Sequence, residues 1–102
     1  MIVEWTESAL ADLEGIHNQI ARDSAYYAQA VVDRLTRRCL QIEAFPYSGQ
    51  MVPEYQRADI REVFEYSYRL IYQVSADTTW ILAVLHGAST LPDSPPEEKV
   101  EP

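Results

Sequence analysis

Residues 68–86 read YRLIYQVSADTTWILAVLH, and this stretch decides the fold. Within 68–74 every even-numbered residue is apolar or aromatic, which is the two-residue period of a β-strand. Within 79–86 apolar residues occupy both parities, as is typical of a central strand that is covered on both faces. The connection at 75–78 is short, so the two strands are predicted to pair as an antiparallel hairpin.

Two further strands are predicted outside this hairpin. Residues 60–64 form a strand candidate that is joined to the hairpin through the short connection 65–67, which again predicts antiparallel pairing. At the start of the chain, Ile2–Trp5 is brief and rich in residues that favour strands, and it ends at a helix-start signal.

Two amphipathic helices are predicted between the first strand and the others. Thr6 is suited to cap the first helix and Asp23-Ser24 the second, which ends before Pro46 because the residue preceding a proline disfavours helical geometry. Only a few residues join the helices, so they are expected to form an antiparallel hairpin. Their apolar stripes recur every three or four residues, at Ala9, Leu13, Ile16 and Ile20 and then at Ala25, Ala28, Val32, Leu35, Cys39 and Ile42.

The predicted order of elements is β-α-α-β-β-β. Helices that come first and strands that follow indicate an α+β domain, in which the helical hairpin packs on one face of an antiparallel sheet. The length of 102 residues allows a single domain, which we expect at residues 1–91. Residues 92–102 are acidic and rich in proline without periodicity, which predicts a disordered tail.

The charge balance disfavours a general nucleic-acid binder. The net charge is −8, and the one lysine, Lys99, lies in the predicted tail. Proteins that bind nucleic acid gain most of their affinity by neutralising phosphates with lysine and arginine. We therefore expect no direct sequence-specific contact with nucleic acid.

The remaining composition predicts a cytoplasmic protein without cofactor or metal. The longest apolar run, 81–85, is far shorter than a membrane span, and residues 1–5 lack the basic start of a secretory signal. Cys39 is the one cysteine, so no internal disulfide is available. The three glycines form no phosphate-binding loop, and the cysteine and two histidines are too far apart in sequence to suggest a metal cluster.

Several local strings, in this order and spacing, resemble the ParE/RelE toxin superfamily from about Val3 to Leu91. The strings are Trp5-Thr6 followed by Asp12-Leu13, Phe45-Pro46 followed by Gly49-Gln50 and Val52-Pro53-Glu54, Ile60-Arg61-Glu62-Val63, Tyr68-Arg69-Leu70-Ile71-Tyr72, and Val84-Leu85-His86-Gly87-Ala88. Each string is weak alone, but together they are fairly specific for the superfamily. The last string is closer to the ParE branch.

The resemblance implies the toxin of a bacterial type II toxin–antitoxin, or plasmid-stabilisation, module. ParE-like members poison DNA gyrase, RelE-like members cleave mRNA on the ribosome, and both are held inactive by a cognate antitoxin. For the ParE branch we expect an antitoxin of the ParD type, with a ribbon-helix-helix fold. The branch usually has an arginine where this chain has Ser89, so a degenerate, inactive toxin is kept as an alternative beside the ribonuclease.

Ribonuclease chemistry would need a base, a cation for the developing phosphate charge and an acid for the leaving oxygen. If the chain is a ribonuclease, we expect Arg61 and Arg69 as cations, His86 as acid or base, and Glu54 or Glu62 as base. A hairpin turn near residues 65–66 would place the two arginines nearly opposite each other, although a slip of one residue would move either to the other face.

Each of these residues also has a structural interpretation. Arg69 could be paired with an acid, and Arg61 and Glu62 could be charges that protect an edge strand from self-pairing. His86, at the end of a strand, could be a hydrogen-bonded structural histidine.

Overall fold

The computed structural model, which describes residues 1–99, has an α+β fold, as predicted. A helical hairpin packs on one face of a five-stranded sheet with strand order β1-β5-β4-β3-β2. We call the face that contacts the helices the inner face and the opposite one the outer face. The elements are β1 (Ile2–Trp5), α1 (Glu7–Ala21), α2 (Ala25–Ala44), a 3-10 turn (Pro46–Ser48), β2 (Gln50–Met51), β3 (Ile60–Glu65), β4 (Tyr68–Val74) and β5 (Thr78–His86).

The sheet differs from the predicted antiparallel one in two respects. β1 pairs with β5 in parallel, from Ile2 beside Thr78 to Trp5 beside Ile81, so the sheet is mixed. The short strand β2 pairs antiparallel with β3 and was not predicted, because two residues are too few to show a period. No helix of the described residues is long and apolar enough to cross a membrane.

Both helices begin where the sequence places their caps. The Thr6 side chain accepts a hydrogen bond from the Ala9 amide at 3.1 Å, and that of Ser24 accepts one from the Tyr27 amide at 3.0 Å. Such caps satisfy amide groups that have no partner within the helix. The α2 helix ends at Ala44, before the proline, as predicted.

The core lies on both faces of the sheet. On the inner face, Leu35 and Ile42 of α2 pack with strand residues such as Leu70 and Ile81. A smaller cluster on the outer face contains Val52, Ile60, Ile71, Leu82 and Ala83, with Trp80 and Leu91 packed against it. β4 and β5 are therefore covered on both faces, which confirms the prediction for β5.

A β-bulge in β5 changes the phase of its side chains. Ile71 pairs with Ala83 and Tyr72 with Ile81, so Leu82 is an extra residue in the ladder. Ile81 and Val84 both face the helices, whereas Leu82 and Ala83 both lie in the outer cluster. The bulge therefore moves the last residues of β5 into the opposite phase, which places His86 on the same side as Val84.

The segment that the sequence predicts to be a free tail lies against the outer face over residues 92–99. It forms no helix or strand, but the Tyr55 hydroxyl donates to the Pro92 carbonyl at 2.9 Å, and Lys99 forms two hydrogen bonds with the Gln73 side chain. The last predicted tail residues, 100–102, lie outside the described residues. The domain boundary at residue 91 stays a prediction.

The loop before β2 is held by one buried hydroxyl. Tyr72 is fully buried, and its hydroxyl donates to the Pro46 carbonyl at 2.7 Å and accepts from the Gly49 amide at 3.0 Å. A Cβ atom at Gly49 would lie 2.5 Å from that hydroxyl and 2.6 Å from the Glu62 carbonyl. Glycine is therefore required here by close approach of the backbone to β3 and β4.

We predict that Tyr72→Phe destabilises the protein by about 1–3 kcal/mol, because it leaves a buried donor and acceptor without a partner. Urea unfolding monitored by circular dichroism measures the change. The matched control is Tyr26→Phe, whose side chain is 86% exposed and whose effect should stay within about 0.5 kcal/mol. Equal stability of the two variants would contradict this role of the Tyr72 hydroxyl.

Candidate functional site

A groove opens where β5 extends beyond its neighbour β1. The first strand ends at Trp5, beside Ile81, while β5 continues to His86. Within the described residues, the last part of β5 thus has a strand, β4, on one side and none on the other. A concavity of about 800 Å³ lies between this open edge, α1 and the start of α2. We call it the edge groove.

Side chains from α1 and its cap satisfy part of the open edge. The Thr6 hydroxyl donates to the Ile81 carbonyl at 3.1 Å, and the Asp12 carboxylate accepts from the Val84 amide at 3.1 Å. Burial raises the pKa of Asp12, and the hydrogen bond from Val84 opposes this in part. The carboxylate takes the place that a carbonyl of a neighbouring strand would otherwise occupy.

His86 lies at the rim of the edge groove. Its ring meets Tyr68 edge-on, with centroids 5.6 Å apart and planes at 76°, and its Nε2 lies 3.3 Å from the Ser67 hydroxyl. The Gly87 amide also donates to the Ser67 carbonyl at 2.7 Å. These contacts support the structural interpretation of His86, although its side chain remains exposed.

The chemistry of the edge groove suits an apolar partner rather than phosphate. Apolar side chains such as Ile16 and Ile20 line it, and its carboxylates are Asp12 and Asp23. Neither lysine nor arginine is among the described residues that line it. Gly15 leaves open space, because a Cβ atom there would meet nothing within 4 Å. The groove can therefore accept a helix or strand with an apolar face and, at its rim, basic side chains.

Arg61 is used to hold the loop before β2. Its Nε donates to the Ala58 carbonyl at 2.8 Å and its Nη1 to the Gly49 carbonyl at 3.2 Å. Its guanidinium also lies over the Tyr47 ring, 5.2 Å from the centroid, in a cation–π contact. These contacts give Arg61 a structural function within the chain.

Arg69 is buried on the outer face between two carboxylates. Its Nε donates to Glu62 at 2.6 Å, while Nη1 and Nη2 donate to the two oxygens of Glu54 at 2.8 and 2.9 Å. Arg69 is 6% and Glu62 1% exposed. The hydrogen bonds from Arg69 lower the pKa of Glu54, and Glu54, followed by Glu62, raises the pKa of Arg69. The structure therefore pairs Arg69 with acids, which is the structural interpretation of this residue.

The three candidate catalytic residues are not brought together. The hairpin turns at 66–67, so Arg61 pairs with Tyr72 and Arg69 with Phe64. The expectation that the two arginines lie opposite each other is wrong, because this register places them on opposite faces of the sheet. His86 lies on β5, two strands away from Arg61.

The interpretation of Arg61 and Glu62 as charges on an edge strand is also wrong. β2 covers that edge, with Met51 beside Arg61 and Gln50 beside Glu62. The Gln50 amide donates to the Glu62 carboxylate at 3.0 Å, and Glu62 is buried. A strand of two residues hides this edge, and nothing in the sequence pattern distinguishes it from a loop.

Asp12 is the residue of the edge groove that sequence reasoning missed. A signal was available, because Asp12 lies three residues after Ala9 and four before Ile16, on the apolar stripe of α1. An acid at such a position needs a buried hydrogen-bond donor. The donor, the Val84 amide, lies 72 residues away in sequence and could not have been named.

The comparisons with known proteins agree with this fold. A family model described as the ParE toxin of the type II toxin–antitoxin system, parDE, matches residues 3–91. Among matching solved structures is a chain of the chromosomal ParDE TA system from P. aeruginosa, with a TM-score of 0.70 and 18% identity over 84% of this chain and 95% of that chain. At that identity the likeness shows the fold alone. No curated protein matches the chain.

We predict that Arg69→Met destabilises the protein by about 3–5 kcal/mol at pH 7, because Glu62 is left as a buried charge without its partner. Chemical unfolding measures it, with the exposed Arg37→Met as the control expected to change stability by less than about 0.5 kcal/mol.

The loss of stability caused by Arg69→Met should depend on pH. The pKa of Glu54 lies below its ordinary value of 4.5 in the folded protein, so its contribution is present above pH 4.5 and is lost as the pH falls through the folded pKa. The difference in the free energy of unfolding between wild type and Arg69→Met should therefore become smaller below about pH 4.5. A difference that is constant down to pH 3 would contradict the ion-pair explanation.

Proposed function

Because the chain belongs to the ParE toxin family of type II toxin–antitoxin systems, we propose that this toxin acts in the bacterial cytoplasm by poisoning DNA gyrase. It does so by protein contact, without bond chemistry of its own. A cognate antitoxin of the ParD type, with a ribbon-helix-helix fold, neutralises it. The observation that carries the proposal is the edge groove, which is apolar and acidic and is bordered by an open strand edge.

The edge groove supports the antitoxin part of the proposal. A short antitoxin segment that is disordered when free can fold onto such a surface. Apolar burial and backbone hydrogen bonds then offset the conformational entropy that the segment loses. The open edge of β5 beyond Ile81 offers those hydrogen bonds, and Ile16 and Ile20 offer the apolar surface. We therefore place the C-terminal segment of the antitoxin in the edge groove, between the helical hairpin and the sheet.

The charges support gyrase contact over ribonuclease activity. A ribosome-dependent nuclease has to dock into an RNA-rich site, which a net charge of −8 disfavours. The Arg69 guanidinium is paired with two carboxylates, of Glu54 and Glu62, and Arg69 is only 6% exposed, so its charge is already matched and little of it is accessible to a phosphate. The catalytic roles of Arg61, Arg69 and His86 stay a prediction that belongs to the ribonuclease alternative.

We predict that Gly15→Trp weakens antitoxin binding at least tenfold, because the indole fills the open space of the edge groove while tryptophan suits a helix better than glycine does. The binding partner to test is the product of a short reading frame beside this gene, where one encodes a ribbon-helix-helix protein, and binding is measured by calorimetry and by co-elution. The control, Gly15→Ala, should bind as wild type and gain about 0.5–1 kcal/mol of stability. If Gly15→Trp binds as tightly as Gly15→Ala, the antitoxin lies elsewhere.

For the target, we predict that the purified protein at micromolar concentration inhibits DNA supercoiling by gyrase, and that the toxin–antitoxin complex does not. The exposed His86→Ala should fold, so it separates the alternatives. If ribosome-bound mRNA is cut by the protein and not by His86→Ala, the ribonuclease interpretation is correct. If there is neither gyrase inhibition nor growth inhibition on expression, the toxin is inactive and the target part of the proposal fails.

A further inference from the structure

Residues 92–99, which we call the C-terminal strap, cross the outer face of the sheet away from the edge groove. The Tyr55 hydroxyl donates to the Pro92 carbonyl at 2.9 Å and reaches the Ser94 carbonyl at 3.4 Å. Pro95 is buried. The strap therefore lies beside the outer cluster of the core.

A buried side chain holds the end of the strap by its backbone. Gln73 of β4 is 3% exposed; its amide nitrogen donates to the Lys99 carbonyl at 2.9 Å and its amide oxygen accepts from the Lys99 amide at 2.7 Å. This two-fold contact reproduces the hydrogen bonds that a neighbouring strand would offer to an extended peptide. It recognises backbone, so it does not depend on the side chain at position 99.

Two charged side chains of the strap, Glu98 and Lys99, have partners on the outer face. The Arg57 Nη1 donates to the Glu98 carboxylate at 2.9 Å, and Arg57 is itself oriented by Asp59 through two hydrogen bonds. The Lys99 ammonium lies 4.5 Å from the centroid of the Trp80 ring, within the range of a cation–π contact. The positions of an acid and a base in the strap are therefore both recognised.

We propose that the outer face is a binding surface for an acidic, proline-containing peptide that turns, as the strap does where the Glu98 amide donates to the Pro95 carbonyl at 3.4 Å and Glu97 has a φ of 50°. Its resident ligand is the chain's own C-terminal strap.

Tyr55 and Gln73 bind the backbone of the strap, and its Pro95 is buried. Arg57 and Trp80 contact its charged side chains. Apart from the burial of Pro95, the contacts described above are hydrogen bonds or partly exposed charge contacts. The strap can therefore leave while the sheet stays folded. Its release uncovers Trp80 and Tyr55.

The position of Lys99 provides a direct test on the full chain. It is the one lysine of the sequence, so endoproteinase Lys-C, which cleaves after lysine, cuts at a single bond. That bond follows the residue whose amide and carbonyl are both bound by Gln73, so cleavage requires release of the strap. When release is fast relative to cleavage, the cleavage rate reports the released fraction. We expect the folded chain to be cut at least tenfold more slowly than a synthetic peptide of residues 91–102.

Two variants test the contacts. Gln73→Leu keeps the size of a buried side chain but removes both hydrogen bonds to Lys99, together with the one to Asp59. It should raise the cleavage rate about tenfold. Glu98→Gln, which lies on the strap and cannot disturb the core, should raise it about two- to threefold by weakening the contact with Arg57. The matched control is Gln29→Leu, at an exposed glutamine of α2 whose side chain donates a hydrogen bond to Asp33, and it should leave the rate unchanged.

Three outcomes would overturn the proposal. One is cleavage of the folded wild-type chain as fast as the free peptide. Another is equal cleavage of Gln73→Leu, Glu98→Gln and Gln29→Leu. The third is protection that falls on dilution, which would mean that the strap of a second copy, rather than the chain's own, occupies the outer face. None of these outcomes bears on gyrase or antitoxin binding, so the strap and the proposed function fail or succeed separately.

Discussion

The pairing of β4 with β5 is the interaction on which the rest of the structure depends. Both strands have neighbours within the sheet and are covered on both faces, by the helices on one and by the outer cluster on the other. In the buried part of these two strands no side is exposed to solvent, so each polar side chain there needs a hydrogen-bonding partner. Arg69 finds Glu54 and Glu62, and Gln73 finds Asp59 and Lys99.

The bulge at Leu82 links this central pair to the candidate site. It puts two successive residues, Leu82 and Ala83, into the outer cluster and returns Val84 to the inner face. From there the strand continues past the end of β1, and its free backbone is met by Asp12 instead of another strand. One extra residue thus explains both the closed outer face and the position of His86 at the rim of the edge groove.

The arrangement of charges is compatible with the proposed function, in which the protein acts by contact. The cations that the sequence offers for phosphate chemistry are used inside the molecule, Arg69 in a buried ion pair and Arg61 in holding a loop. The edge groove contains carboxylates and apolar groups instead. The excess of acidic residues therefore supports the proposed function, in which protein surfaces are recognised rather than nucleic acid.

The sequence by itself determined the local structure. Caps at Thr6 and Ser24, apolar stripes and two-residue periods depend on neighbours in the chain, so the two helices, the three long strands and the α+β class could be predicted from it. It also contained one unused sign of the groove, the acid at position 12. Only the tertiary structure decided the parallel pairing of β1, the strand β2, the register of Arg61 against Arg69, the bulge at Leu82 and the place of the strap. Each of these depends on a contact between residues distant in sequence, and a shift of one residue, which the pattern barely registers, turns a side chain to the other face.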